Sequence, residues 1–201
     1  EAVVTTGPFP GLLEEYCGSL NLPLRYTFVR NPDYESTNYI HSIYLAREEL
    51  EDDLLLLHGD LVFESEVLRR CLEAEESCVA VSSTAPLPEK DFKAVLRGDR
   101  VEKVGVEFFD RAAAAQPLYH LKKADWLVWL DRIVRLCEAG DRNCYAEKAL
   151  NEVSDRCVLR PLDVRNMLCG EVDQPEDLAA VSAKLREVEN RTVYMCFSSD
   201  M

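Results

Sequence analysis

The sequence has no C-x-x-C pair, only three histidines, and no apolar run near the ~20 residues of a membrane-spanning helix. A zinc site has little to draw on, and a helical membrane span is not expected. Positive charge is scarce too. Lys and Arg number 23 against 37 Asp and Glu, which leaves a net charge of −14. Nucleic-acid backbones are gripped by clustered Lys and Arg, so DNA and RNA are not expected partners. The same deficit argues against docking on an anionic membrane. A small phosphorylated ligand stays open, because a local site on an acidic protein can be positive or can carry a metal. There is no initiator Met, and nothing at the opening resembles a signal peptide.

What is present is 201 residues, 47% of them hydrophobic. At roughly 100–200 residues per domain, that is one domain or one and a piece, large enough to bury a core without disulfide or metal staples. The eight cysteines include Cys71, Cys137 and Cys157 inside apolar patterns, where a free thiol acts as a small hydrophobe. A reduced, cytoplasmic protein is the expectation. Glu1 to Gly7 reads as a strand already under way, then a turn. Thr192 to Phe197 is a β-prone run, either the last strand of this domain or the start of a downstream one.

Strands and helices alternate along the chain. Leu24 to Val29 reads as a strand and Ser36 to Leu50 as a helix with Ile40, Ile43, Tyr44 and Leu50 on one face. Leu54 to Leu57 is wholly apolar and ends in His58-Gly59-Asp60, which suits a strand buried on both faces of a parallel sheet. Ser65 is placed to cap a helix with Val67, Leu68, Cys71 and Leu72 as its stripe. Val79 to Val81 is the next strand. From Lys93 to Leu121 the segments shorten, and Gly98-Asp99 reads as a hairpin turn. Trp126, Trp129, Leu130, Ile133 and Cys137 mark an amphipathic helix, and Ala146, Ala149, Leu150 and Val153 another. Leu159 to Val172 is strand-like with turns, and a last helix carries Leu178, Val181, Leu185 and Val188. The expected fold is an α/β, Rossmann-like three-layer sandwich with a mostly parallel central sheet and an antiparallel β insertion.

In such a sheet ligands bind beyond the carboxyl ends of the strands. Asp60 stands there, behind four leucines and Gly59, as a metal ligand or as a simple turn former. Glu171 and Asp173 flank Val172 and share a side if the segment is extended; Asp173 also suits a helix cap ahead of Pro175 and Glu176. Thr37 and Asn38 stand at the head of the helix expected from Ser36, and their small polar groups suit either a nucleotide contact or an ordinary cap. Glu147 and Asn151 lie four apart on a helix face, open to a cationic head group or to solvent alone.

Taken in order, these fragments resemble one family. Asn31-Pro32-x-Tyr34-x-x-Thr37-Asn38, Leu55-Leu56-Leu57-His58-Gly59-Asp60 and Glu171-Val172-Asp173-x-Pro175-Glu176-Asp177-Leu178 resemble bacterial cytidylyltransferases of the sugar-nucleotidyltransferase superfamily, of the choline-phosphate and 2-aminoethylphosphonate type. Val106-Glu107-Phe108-Phe109-Asp110, Gln116-Pro117-Leu118-Tyr119 and Tyr145-Ala146-Glu147-x-Ala149-Leu150 lean toward the phosphonate branch. The resemblance covers residues 1–188 as a nucleotidyltransferase domain and leaves 189–201 as a linker and a candidate start of a fused downstream catalytic domain.

The resemblance implies transfer of CMP from CTP to a small phosphonate or phosphate acceptor, with release of pyrophosphate. It implies Mg²⁺ held by Asp60 and Asp173, a nucleotide along Thr37, Asn38 and Ser42, and an acceptor pocket lined by Tyr119 and Glu147. The acceptor favoured is 2-aminoethylphosphonate, with phosphocholine next. The family opens with a strand and a glycine-rich loop bearing Arg and Lys. This chain begins about where the family's third strand would run, so either an upstream segment carries the loop or the domain is degenerate. The basic residue that contacts phosphate would be Lys103 or Lys93. The alternatives are a sugar-1-phosphate nucleotidyltransferase using another nucleotide and a non-catalytic nucleotide-binding domain.

Overall fold

A computed structural model of the chain describes the backbone of residues 1–197 and the side chains of residues 1–188. In chain order the elements are β1 (Ala2–Thr6), α1 (Pro10–Ser19), β2 (Tyr26–Arg30), α2 (Tyr39–Ala46), β3 (Leu54–Leu57), β4 (Leu61–Phe63), α3 (Ser65–Glu73) and β5 (Cys78–Ser82). Then come β6 (Lys93–Arg97), β7 (Arg100–Gly105), β8 (Ala112–Leu121), α4 (Lys123–Glu138), α5 (Glu147–Val153), β9 (Arg160–Asp163), β10 (Cys169–Glu171) and α6 (Pro175–Phe197).

The central sheet runs β7-β6-β8-β5-β9, with β3 also paired to β8. It is mixed, not mostly parallel. β8 lies antiparallel to β3, β5 and β6, while β5 and β9 run parallel. The reason is topological. β3 and β5 do point the same way, both antiparallel to β8, and the connection through β4 and α3 is long enough to allow it. They are not neighbours, because the ten-residue β8 slots between them. The expected insertion is therefore part of the sheet. Its hairpin is where the sequence puts it: β6 and β7 meet through Gly98-Asp99, with Gly98 at φ 64°, a conformation that costs glycine little. The strand buried on both faces is β5, not β3. Each residue of β3 is only partly covered, and Leu57 is exposed.

Side chains alternate across the sheet and build two cores. Val79 and Val81 of β5 and Tyr119 and Leu121 of β8 meet α2, α4 and α5 on one face, where Trp126, Trp129 and Ile133 are fully buried. Cys78, Ala80 and Leu118 meet Val67 and Cys71 of α3 on the other. That is a three-layer arrangement. β1 and β2 form a separate parallel pair, and β4 and β10 an antiparallel one.

Local details differ from the sequence expectation in three places. Glu64 takes the cap position of α3, so Ser65 is its first residue and makes no cap bond. Residues 192–197 continue helix α6 instead of forming a strand; the remainder of that tail, 198–201, lies outside the described residues. Helix α1 is an element that the sequence reading did not include, although its apolar residues recur at helical spacing. Leu12, Leu13 and Tyr16 face solvent, and only Cys17 is buried.

Candidate active site

Two short strands bring distant acids together. β10 pairs with β4 so that Glu171 lies opposite Leu61, and the Val172 N–H donates to the Asp60 carbonyl at 3.1 Å. Asp60 and Asp173 thereby line one cleft of about 270 Å³, with Tyr39, His58, Phe92 and Glu171. It lies at the carboxyl end of β3, as expected of ligand sites in open sheets. His58 Nδ1 stands 2.9 Å from Glu171 Oε1. Donor atoms of His58, Asp60 and Glu171 all fall within 4.8 Å of one another, a set suited to a divalent cation.

Electrostatics in this cleft favour a cation. Loss of water pushes the Asp91 carboxyl up, and the charges of Asp173 and Asp177 push it further. Burial alone would lower the His58 pKa; the hydrogen bond to Glu171 and the charges of Glu147, Glu171 and Asp60 outweigh it, so the imidazole is raised.

The question of whether Asp173 is a ligand or a cap is narrowed by α6. The carboxylate that accepts from the N–H groups of Asp173 and Gln174 belongs to Asp177, at 3.1 and 2.8 Å. Asp173 is thus exposed on the cleft with another residue doing the capping.

A second cleft of about 550 Å³ adjoins the first and is lined by Lys103, Phe108, Asn143, Glu147, Lys148 and Asn151 among others. Asn38, Phe92 and Tyr145 border both. Glu147 is only 1% exposed, so its helix face is not the solvated one that the sequence allowed. Tyr119 Oη donates to Glu147 Oε1 at 2.7 Å, and Tyr39 Oη donates to Oε2. Burial raises the Glu147 pKa despite both bonds. Burial and the adjoining carboxylate hold both phenols well above their usual range. The first residue of α5 is fixed from below: Trp129 Nε1 donates to the Ala146 carbonyl at 2.9 Å and its ring meets Tyr119 edge-on at 5.3 Å. Asn151 exchanges two 2.8 Å hydrogen bonds with the Val104 backbone, tying α5 to β7.

No family model matches the chain. Over 87 residues, 43% of its length, it is 39% identical to a CMP-5'-(3-aminopropyl)phosphonate synthase of Streptomyces rubellomurinus, and that match spans 14% of the relative. Among solved structures it resembles the inositol-1-phosphate CTP transferase of T. maritima, with a TM-score of 0.69 at 21% identity over 92% of this chain and 76% of that one. It also resembles the CTP:phosphocholine cytidylyltransferase of Streptococcus pneumoniae, with a TM-score of 0.71 at 12% identity over 92% and 78%. The chain has a nucleotidyltransferase fold.

Within this nucleotidyltransferase fold the sequence-derived site residues fall as follows. Asp60 and Asp173 share the smaller cleft. Asn38 borders both clefts and caps α2 through its side chain, accepting from the Tyr39 N–H at 2.7 Å. The hydroxyls of Thr37 and Ser42 are engaged by the buried Asn31, whose Nδ2 donates to them at 3.0 and 3.1 Å; they brace the loop that carries Asn38. Tyr119 lies beneath Glu147 and touches the larger cleft through it. Lys93 is fully buried, with Nζ donating to the Pro88 carbonyl at 2.7 Å and lying 4.2 Å from the Phe109 ring centre. It is not placed to meet a phosphate, whereas Lys103 lines the larger cleft. The sequence reading gave no role to His58, Tyr39, Phe92 or Tyr145, whereas Glu171 was paired there with Asp173 on one side of an extended segment, and both line this cleft.

Proposed function

We propose that the protein transfers CMP from CTP to a small phosphonate or phosphate bearing a cationic head group, with 2-aminoethylphosphonate favoured and phosphocholine next. The observation that carries this reading is the buried Glu147 carboxylate on the wall of one cleft, beside Tyr39, Phe92 and Tyr145 and next to a second, acid-lined cleft. A buried carboxylate is costly unless it is both hydrogen-bonded and paired with positive charge; the two phenols supply the bonds, a cationic head group would supply the charge, and aromatic faces add attraction for an ammonium. The amine in the product named for the Streptomyces relative fits the same chemistry.

In this reading an acceptor oxygen attacks the α-phosphorus of CTP, the bond from that phosphorus to the β-phosphate bridge breaks, and pyrophosphate leaves. Mg²⁺ held by Asp60 and Asp173 supplies a template and a Lewis acid when bound. Asn38 lies along the nucleotide, with Thr37 and Ser42 setting its loop. Glu147, oriented by Tyr39 and Tyr119, holds the head group so that the acceptor oxygen is aligned; such alignment can contribute up to about 7–11 kcal/mol.

The test is pyrophosphate release by the intact protein with CTP, UTP, GTP or dTTP, each offered 2-aminoethylphosphonate, phosphocholine or glucose 1-phosphate. Release with CTP and a cationic acceptor is expected. Turnover confined to another nucleotide or to the sugar phosphate overturns the reading.

A further inference from the structure

We infer that His58 is a nitrogen ligand of the divalent cation, which tunes the site toward Mn²⁺ over Mg²⁺. This rests on the reading above that Asp60 serves such a cation. Two donors bound at about 2.1 Å on adjacent corners of an octahedron lie ~3.0 Å apart. His58 Nδ1 and Glu171 Oε1 are 2.9 Å apart, and Asp60 offers a third donor within the same 4.8 Å cluster. The three sit on different supports: the end of β3, the turn before β4 and the end of β10. β4–β10 pairing locks the last two together.

The imidazole is also held in orientation. Its ring meets Tyr39 edge-on at 4.7 Å and Phe92 at 6.2 Å. Part of the ring stays open to the cleft, since the side chain is 22% exposed. To ligate a cation, His58 would release the Nδ1 proton it shares with Glu171 Oε1 to solvent, leaving its lone pair beside that carboxylate oxygen. Transition-metal cations accept an imidazole nitrogen, Mn²⁺ the most weakly of the first-row series, whereas Mg²⁺ is satisfied by oxygen alone. His41 and His120, the other histidines, are buried in α2 and β8 away from this cleft.

The test uses Mn²⁺ alone with the intact protein. Binding is counted from the free-Mn²⁺ resonance, and the ligand type is read from electron-spin-echo modulation by a directly bound nitrogen. The expected result is nitrogen modulation in the wild type and its loss in His58→Asn. Mn²⁺ should bind at least about tenfold more tightly than Mg²⁺, narrowing to about twofold in the variant. The wild-type spectrum stands even if His58→Asn folds poorly, and His58→Gln provides a second variant. Mn²⁺ bound and lost in Asp60→Asn, but without nitrogen modulation, overturns the inference and leaves the reading of Asp60 intact. Absence of Mn²⁺ binding sinks both.

Discussion

Tyr119, buried in the central sheet, donates a 2.7 Å hydrogen bond to Glu147 at the first residue of α5. The bond joins sheet to helix at the wall of the larger cleft. With Tyr39 donating from the other side, the carboxylate is oriented before any ligand arrives, and preorganised charge of this kind is worth more than charge that must be gathered.

Glu147→Gln keeps the shape and removes the charge. The acceptor KM should rise roughly tenfold to a hundredfold, the equivalent of ~1.5–3 kcal/mol for a charge-assisted hydrogen bond. The CTP KM should move little. The stability effect has a definite sign. Burial raises the folded-state pKa of Glu147, so below its unfolded value of ~4.3 both states are protonated and there is no penalty. As pH climbs from there through the folded value, the wild type loses stability. Thermal melts across that range should shift in favour of Glu147→Gln as pH rises; a flat difference, or a selective loss of CTP affinity, counts against the placement.

Asp177 of α6 and the two acids of the cleft, Asp60 and Asp173, separate by role. Asp177→Ala removes the acceptor for the Asp173 and Gln174 N–H groups and should cost about 0.5–2 kcal/mol of stability. Asp60→Ala and Asp173→Ala should leave melting temperatures nearly unchanged. Each should slow pyrophosphate release by about 10²–10³-fold, the rate equivalent of several kcal/mol of lost charge stabilisation. A stability loss in Asp173→Ala with normal turnover would return that residue to a structural role.

Asn151→Ala strips Val104 of both backbone partners where that residue is fully buried. Each orphaned group should cost roughly 1–3 kcal/mol, to be read from urea unfolding. A loss below ~0.5 kcal/mol would mean water repairs both bonds.

Lys93→Met should act on the segment before β6 and not on phosphate. The variant loses bonds to the Pro88 and Glu89 carbonyls, so faster proteolysis around residues 86–91 and a drop of about 1–3 kcal/mol are expected. A large rise in the CTP KM at unchanged stability would show instead that the ammonium reaches the nucleotide.

Leu54 to Leu57, then His58-Gly59-Asp60, was legible because an apolar run and a turn sit side by side in the sequence. The β6–β7 hairpin was legible for the same local reason, Gly98-Asp99. Sheet order was not, since the place of β8 between β3 and β5 depends on pairings between residues far apart in the chain, from Ser82 with Ala114 to Leu54 with Leu121. Glu147 misled because a carboxylate on a helix reads as a polar face. Its burial depends on phenols from Tyr39 and Tyr119, far off in the chain. Helix α1 was passed over although Leu12, Leu13, Tyr16 and Cys17 recur at helical spacing, and the choice between Lys103 and Lys93 as the phosphate contact stayed open until the carbonyl partners of Lys93 were placed.

Asn38, Phe92 and Tyr145 are common to both clefts. Any rearrangement of that partition to admit one guest changes the room left for the other. Titrations done singly and in the presence of the second compound should therefore disagree, and by the same factor whichever compound is added first.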